Sequence, residues 1–146
     1  MSEATPKSLS PGTYLPGSDV LIFSNDKGFI DHHRTILLSI GFAPITVGTL
    51  EAALAVLRVI AIELVIVDEE SGALESRSIL KGAMDNGLSV PVLVVGQNFN
   101  TESRRQALDL GAVAYLDRPA FQDDVVRALL VQCSRRGIPL WGPQYN

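Results

Sequence analysis

The sequence predicts a doubly wound α/β domain: a five-stranded parallel sheet with helices on both faces. Three observations predict it. Five short apolar runs alternate along the chain with five segments of helical periodicity. The runs are continuous rather than alternating, as in strands covered on both sides of a sheet. Glycines and capping residues mark the changes from one element to the next. A chain of 146 residues is long enough for one such domain, and at that size it buries roughly 70% of its unfolded surface.

The elements follow in order. Residues 1–18 are rich in Ser, Pro, Gly and Thr and read as a flexible lead-in. Val20 to Phe23 is the first buried strand. Lys27 to Ile40 carries Phe29, Ile30, Ile36, Leu37 and Ile40 at helical spacing, and Gly41 closes it. Phe42 to Val47 is a second strand, placed at an edge by Pro44, which has no N–H to donate. Thr49 caps a helix from Leu50 to about Ile60. Leu64 to Val67 is a β-branched third strand, Ala73 to Met84 a weaker helix, and Val90 to Val95 a fourth strand. Thr101 caps a helix to Leu110 that stops at Gly111. Val113 to Leu116 is the fifth strand, and Phe121 to Arg135 is the last helix, with Val125, Val126, Leu129, Leu130 and Cys133 on one stripe. The domain therefore covers 19–135, and 136–146 is a tail.

Composition narrows the function classes. With 47% hydrophobic residues, disorder of the whole chain is excluded. A net charge of −4 without a basic stripe argues against nucleic acid as a partner. Arg104-Arg105 and Arg135-Arg136 read as solvated helix faces. Cys133 is the only cysteine, which leaves no intrachain disulfide and no cysteine zinc site. The longest apolar stretch, Ala52 to Val67, is interrupted by Arg58 and Glu63 and is too short to span a bilayer. The chain starts Met-Ser-Glu with no apolar segment near its start, so a cytoplasmic protein without a membrane partner is expected.

Sites in doubly wound folds lie at the carboxyl ends of the strands. The residues there are Ser24-Asn25-Asp26, Asp68-Glu69-Glu70, Gly96-Gln97-Asn98 and Asp117-Arg118-Pro119. Asp68 at the mouth of the central strand is placed to meet a phosphoryl donor. Arg118 faces the same mouth, and Pro119 behind it is of the type that accepts a cis bond. The strand ending in Asp68, the segment Gly111-Ala-Val-Ala-Tyr-Leu-Asp-Arg-Pro119 and the run Pro91 to Val95 resemble the receiver domains of two-component response regulators. The likeness runs from residue 19 to about 134. It implies a flavodoxin-like (βα)5 fold and a signalling module in a phosphorelay rather than an enzyme. It also implies Asp68 as phospho-acceptor from a histidine kinase, with magnesium beside it.

The chain departs from that family at several points. Counting back from Gly41 puts Ser24 and Asn25, neither a carboxylate, on the family's acidic pair. Asp26 falls one place later, where its side chain is expected to point elsewhere. Gly96 takes the position of a Thr or Ser, and Gln97 a position that is small in the family. Arg118 replaces a lysine, keeping charge but not shape. Tyr115 matches the family's switching aromatic. Asp68, with neutral neighbours, is expected to pair directly with Arg118. It would be a metal ligand only if magnesium binds, and weakly; no other cofactor is expected. The function expected is an atypical receiver with impaired magnesium binding and phosphorylation, acting by contact with a histidine kinase or another signalling protein, or as a homodimer. The alternatives are a receiver still phosphorylated on Asp68, with Asp26 or Glu70 as makeshift ligands, and a small-molecule-binding flavodoxin-like domain.

Four further features stand out. Asp31-His32-His33 invites a metal or cobalamin reading, but Ile36 stands where that pattern needs Gly. Adjacent helical residues point about 100° apart, so a solvated or half-buried helix surface is expected for the histidines. A flavin site lacks most of its phosphate loop at Ser24 to Gly28. Val59-Ile60-Ala61-Ile62 is read as core packing under a turn, or else as an exposed patch. Trp141 is the natural anchor if the tail docks onto the domain or onto a second copy.

Overall fold

The computed structural model describes residues 19–71, 78–79, 81, 90–96, 101–118 and 120–135. The lead-in, the tail with Trp141, Gln97, Pro119 and most of 73–84 lie outside the described residues. The elements are β1 (Asp19–Phe23), α1 (Lys27–Ser39), β2 (Ala43–Val47), α2 (Leu50–Val59) and β3 (Ile62–Asp68), then a 3₁₀ turn at Glu69–Ser71. β4 (Val92–Gly96), α3 (Thr101–Asp109), β5 (Ala114–Asp117) and α4 (Gln122–Arg135) complete the order. Ser78, Ile79 and Lys81 are helical, and Ile79 is fully buried.

The sheet is parallel throughout, in the order β2-β1-β3-β4-β5. This is the doubly wound five-stranded architecture expected from the apolar runs. β2, with Pro44, is an edge strand, as its proline requires. Successive residues of each strand face opposite sides. Val20, Ile22, Leu64, Ile66, Leu93 and Val95 pack under α1 and α4 against Phe29, Ile36, Leu37, Val125 and Leu129. Leu21, Phe23, Val65, Val67, Val92 and Val94 pack on the other face against Ala53, Leu57, Ile79 and Ala107. Every residue of β3 is buried.

Local chemistry fixes the ends. Asp26 caps α1 by accepting from the Gly28 N–H at 3.0 Å, and Thr49 caps α2 by accepting from the Ala52 N–H at 3.1 Å. Gly41 and Gly111 take φ of 90° and 106°. After each glycine the next amide turns back on the helix, Phe42 to Leu37 at 2.9 Å and Ala112 to Ala107 at 3.0 Å.

Two expectations are corrected here. His33 is not on a helix surface: it is 1% exposed. Phe29, His33, Ile36 and Leu37 form the i, i+4, i+7, i+8 stripe that α1 turns to the sheet. His32, one step round, is exposed and meets the Ala120 carbonyl at 2.6 Å. The apolar run 59–62 divides between both readings. β3 begins two residues earlier than expected, so Ile62 enters the core, whereas Val59 and Ile60 are 79% and 37% exposed.

Candidate functional site

β1 and β3 lie side by side at the point where the strand order reverses, and a crevice opens there beyond their carboxyl ends. Asp68 ends β3 in this crevice and is 1% exposed. A carboxylate so far from water needs partners, and it has them. Ser24 donates its hydroxyl to Asp68 Oδ2 at 2.7 Å. The Glu70 amide donates to Oδ1 at 3.0 Å, which bends the chain into the 3₁₀ turn and brings Glu69 and Glu70 to the rim. Arg118 Nη1 donates to Oδ1 at 2.7 Å. The Asp68–Arg118 ion pair expected from the sequence is therefore present.

Arg118 does more than pair with Asp68. Its Nε lies 3.1 Å from Glu70 Oε2, and its Nη2 donates to Asp26 Oδ2. One guanidinium thus joins three carboxylates. Its amide donates to the Gly96 carbonyl at 2.9 Å, and its Cζ lies 5.2 Å from the centre of the Phe29 ring. The backbone bond fixes where the side chain starts, and the ring supports its face.

The expectation that Asp26 points elsewhere, and that Asp68 has only neutral neighbours, is corrected by this cluster. As the α1 cap, Asp26 has an extended backbone (φ −95°, ψ 116°), and its carboxylate lies over the crevice rather than away from it. Its amide donates to Ser24 Oγ at 3.0 Å, so Ser24 links Asp68 to the cap. Asn25 turns out of the crevice and donates to the Gly48 carbonyl at 3.0 Å. Among the described residues no three His, Cys, Asp or Glu side chains are grouped to hold a metal ion.

A second arrangement lies beside the first. Tyr115 is 3% exposed and donates its hydroxyl to Glu69 Oε1 at 2.8 Å. Burial, and then that bond to a carboxylate, raise the phenol well above its ordinary pKa. The ring lies over Gly96. A Cβ at residue 96 would sit 1.8 Å from the Tyr115 hydroxyl oxygen and 2.5 Å from Glu69 Oε1. Gly96 is therefore more than a missing hydroxyl: its lack of a side chain is the space the tyrosine occupies. Arg104 stacks on the outer face, Cζ 5.3 Å from the ring centre, and reaches Asp117 at 3.7 Å.

Of the residues singled out from the sequence, Ser24, Asp26, Asp68 and Arg118 meet in one cluster, and Gly96 and Tyr115 form the adjoining contact. Gln97 and Pro119 lie outside the described residues. Sequence reasoning missed Glu69 as the tyrosine's partner and Phe29 as the support of Arg118. The pattern Asp-Glu-Glu at a strand end was a usable signal, because an aspartate that accepts from the amide two residues on builds a turn.

No protein-family model and no curated protein matches the chain. Solved structures do. The receiver domain of Francisella response regulator 1452 matches with a TM-score of 0.74 at 20% identity, over 82% of this chain and 98% of that one. A response regulator receiver domain from Clostridium thermocellum matches at 0.74 and 18%, over 82% and 97%. Full-length FixJ from B. japonicum matches at 0.71 and 22%, over 81% of this chain and 58% of that one. These likenesses show that the chain has the flavodoxin-like receiver fold.

Proposed function

We propose that the chain is a receiver domain of the two-component type that works by protein–protein contact and does not depend on phosphorylation. The observation that carries this is the Arg118 guanidinium bound to Asp26, Asp68 and Glu70 together. In the family the sequence resembles, a magnesium ion and a lysine offset the negative charge of carboxylates and phosphoryl group at this place. Here the Arg118 guanidinium does so. Magnesium needs hard oxygen ligands, and the carboxylates that would supply them are engaged by Arg118. As arranged around Arg118 they do not fit the ion.

Phosphoryl transfer rests on positioned positive charge and donors. Losing one such donor typically costs about 3 kcal/mol of transition-state stabilisation. This crevice lacks the hydroxyl at residue 96, and Tyr115 fills the space where one would stand. Arg118 and Tyr115 together hold the rim in one arrangement, a fixed surface for a histidine kinase, another signalling protein or a second copy. On this reading the chain is a signalling module and not an enzyme. Among the described residues no helix is long and apolar enough to cross a membrane.

One observation favours a second reading. Three carboxylates share one cation, so the cluster carries a net charge of about −2, which attracts a divalent ion if Arg118 swings away. Asp68 would then accept a phosphoryl group, with Asp26 or Glu70 as ligands. Incubation with acetyl phosphate and magnesium, followed by intact mass measurement, separates the two. No added phosphate is the expected result. A gain of one phosphate that Asp68→Asn abolishes would establish the second reading instead.

A further inference from the structure

β5 is an outer strand of the sheet, and between it and α4 lies an open groove of about 240 Å³. α4 lines the groove with Asp124, Arg127, Ala128 and Val131, spaced i, i+3, i+4 and i+7. This stripe is distinct from Val125 and Leu129, one position round, which enter the core. β5 contributes Val113 and Leu116. Val113 and Val131 are 38% and 43% exposed. Apolar side chains thus face outward at a sheet edge, a place that proteins ordinarily cover with a loop or a helix.

The chain itself supplies a cover. α4 ends at Arg135, one helical turn past Val131, about 6 Å along the axis. Residues 136–146 follow, outside the described residues. After Arg136 they carry no charged side chain, and they include Ile138, Leu140 and Trp141. Gly137 permits a reversal of direction. The link from Arg135 to Trp141 spans up to about 20 Å, and Ala128 lies only about 10 Å back along α4. The groove suits such a segment. Its two charged groups, Asp124 and Arg127, lie 3.4 Å apart and offset each other. Its volume falls below that of most small-molecule sites and matches one large side chain. A second copy would hold by a patch far smaller than the roughly 20–30 residues a side of a stable interface.

We infer that residues 137–141 fold back along α4 and seat Trp141 in this groove, covering the β5 edge. Asp124 is the acceptor there for the indole N–H, and Arg127 the cation for the ring face. The inference stands whether or not Asp68 accepts phosphate, because no residue of the ion cluster takes part.

Trp141 is the only tryptophan, so its fluorescence reports on the groove directly. In the full-length protein its emission is expected to be blue-shifted, and acrylamide to quench it severalfold more slowly than in the urea-unfolded chain. Val131→Asp is expected to return both readings to the unfolded values with far-UV circular dichroism unchanged. Val59→Asp, on α2 and the opposite face of the sheet, is expected to leave them as they are. The protection is expected to stay constant over about a hundredfold range of protein concentration, as for a contact within one chain. Should Val131→Asp fail to fold, the amide NMR spectrum of Trp141→Ala decides, with shifts expected at Val113, Ala128 and Val131. Four results would overturn the inference: quenching as fast as in the unfolded chain, protection that survives Val131→Asp, protection that grows with concentration, or Trp141→Ala shifts that are absent or confined to other regions. The third would seat the tail on a second copy instead.

Discussion

At the scale of the residue, the cluster rests on Arg118. Asp68 is almost wholly removed from water, and removing the cation leaves its charge buried and unmatched. Arg118→Met is therefore expected to cost about 3 kcal/mol of stability at neutral pH, the lower end for breaking a buried pair, because the guanidinium itself is 23% exposed. Asp68→Asn is expected to cost only about 1 kcal/mol. The amide can still receive from the Glu70 N–H and meet the Ser24 hydroxyl, and Arg118 keeps two carboxylates. Urea titrations of the two variants check the order; equal costs would show that burial of charge is not what Arg118 offsets. The Asp68–Arg118 pair was legible in the sequence, because both residues follow strands that the fold brings together. The share of Asp26 was not. Counting positions gives the direction of a side chain only while the backbone stays regular, and a capping residue leaves that regularity.

At the scale of the element, boundaries follow from caps that can be read directly. Thr49 and Gly41 delimit α2 and α1 where the sequence places them. Thr49→Ala removes the acceptor for the Ala52 amide and is expected to cost about 1 kcal/mol. Because α2 packs on the sheet face opposite to α1, the loss should appear in thermal denaturation without changing the response to phosphodonor. The start of β3 was less legible. Val59-Ile60-Ala61-Ile62 is apolar throughout, and periodicity alone does not say where a helix yields to a strand. The structure settles it by pairing: Ile62 lies opposite Asp19 of β1, and Val59 is left in solvent. His33 was misplaced for a related reason. A polar residue type suggested a surface, but the helical stripe that includes Phe29 and Leu37 turns it inward.

At the scale of the whole molecule, two apolar layers enclose the sheet, and one of them contains a histidine. In the folded state its pKa is depressed, to about 4 from 6.5. The unfolded chain thus takes up a proton at a pH where the native state does not. The stability tied to this group is complete above pH 6.5 and declines as the pH falls toward 4. By pH 5 the loss is expected to be about 2 kcal/mol. Chemical denaturation between pH 7.5 and 5 measures it, and His33→Leu should flatten the decline; an unchanged slope would assign it elsewhere. The layered architecture itself was legible, because continuous apolar runs admit few other folds. Alternation of strand and helix gave the sheet its connections, and the right-handed crossover left little freedom in strand order.

The contact between Gly96 and Tyr115 has a consequence for how this protein can change. A side chain introduced at residue 96 collides with a ring held by Glu69 on one side and Arg104 on another. Introducing a hydroxyl there, as in Gly96→Ser, damages packing unless the aromatic moves as well. Substitutions at the two positions are therefore expected to be non-additive, which a double-mutant cycle in urea checks. A hydroxyl at residue 96 and the present seat of the Tyr115 ring thus exclude one another.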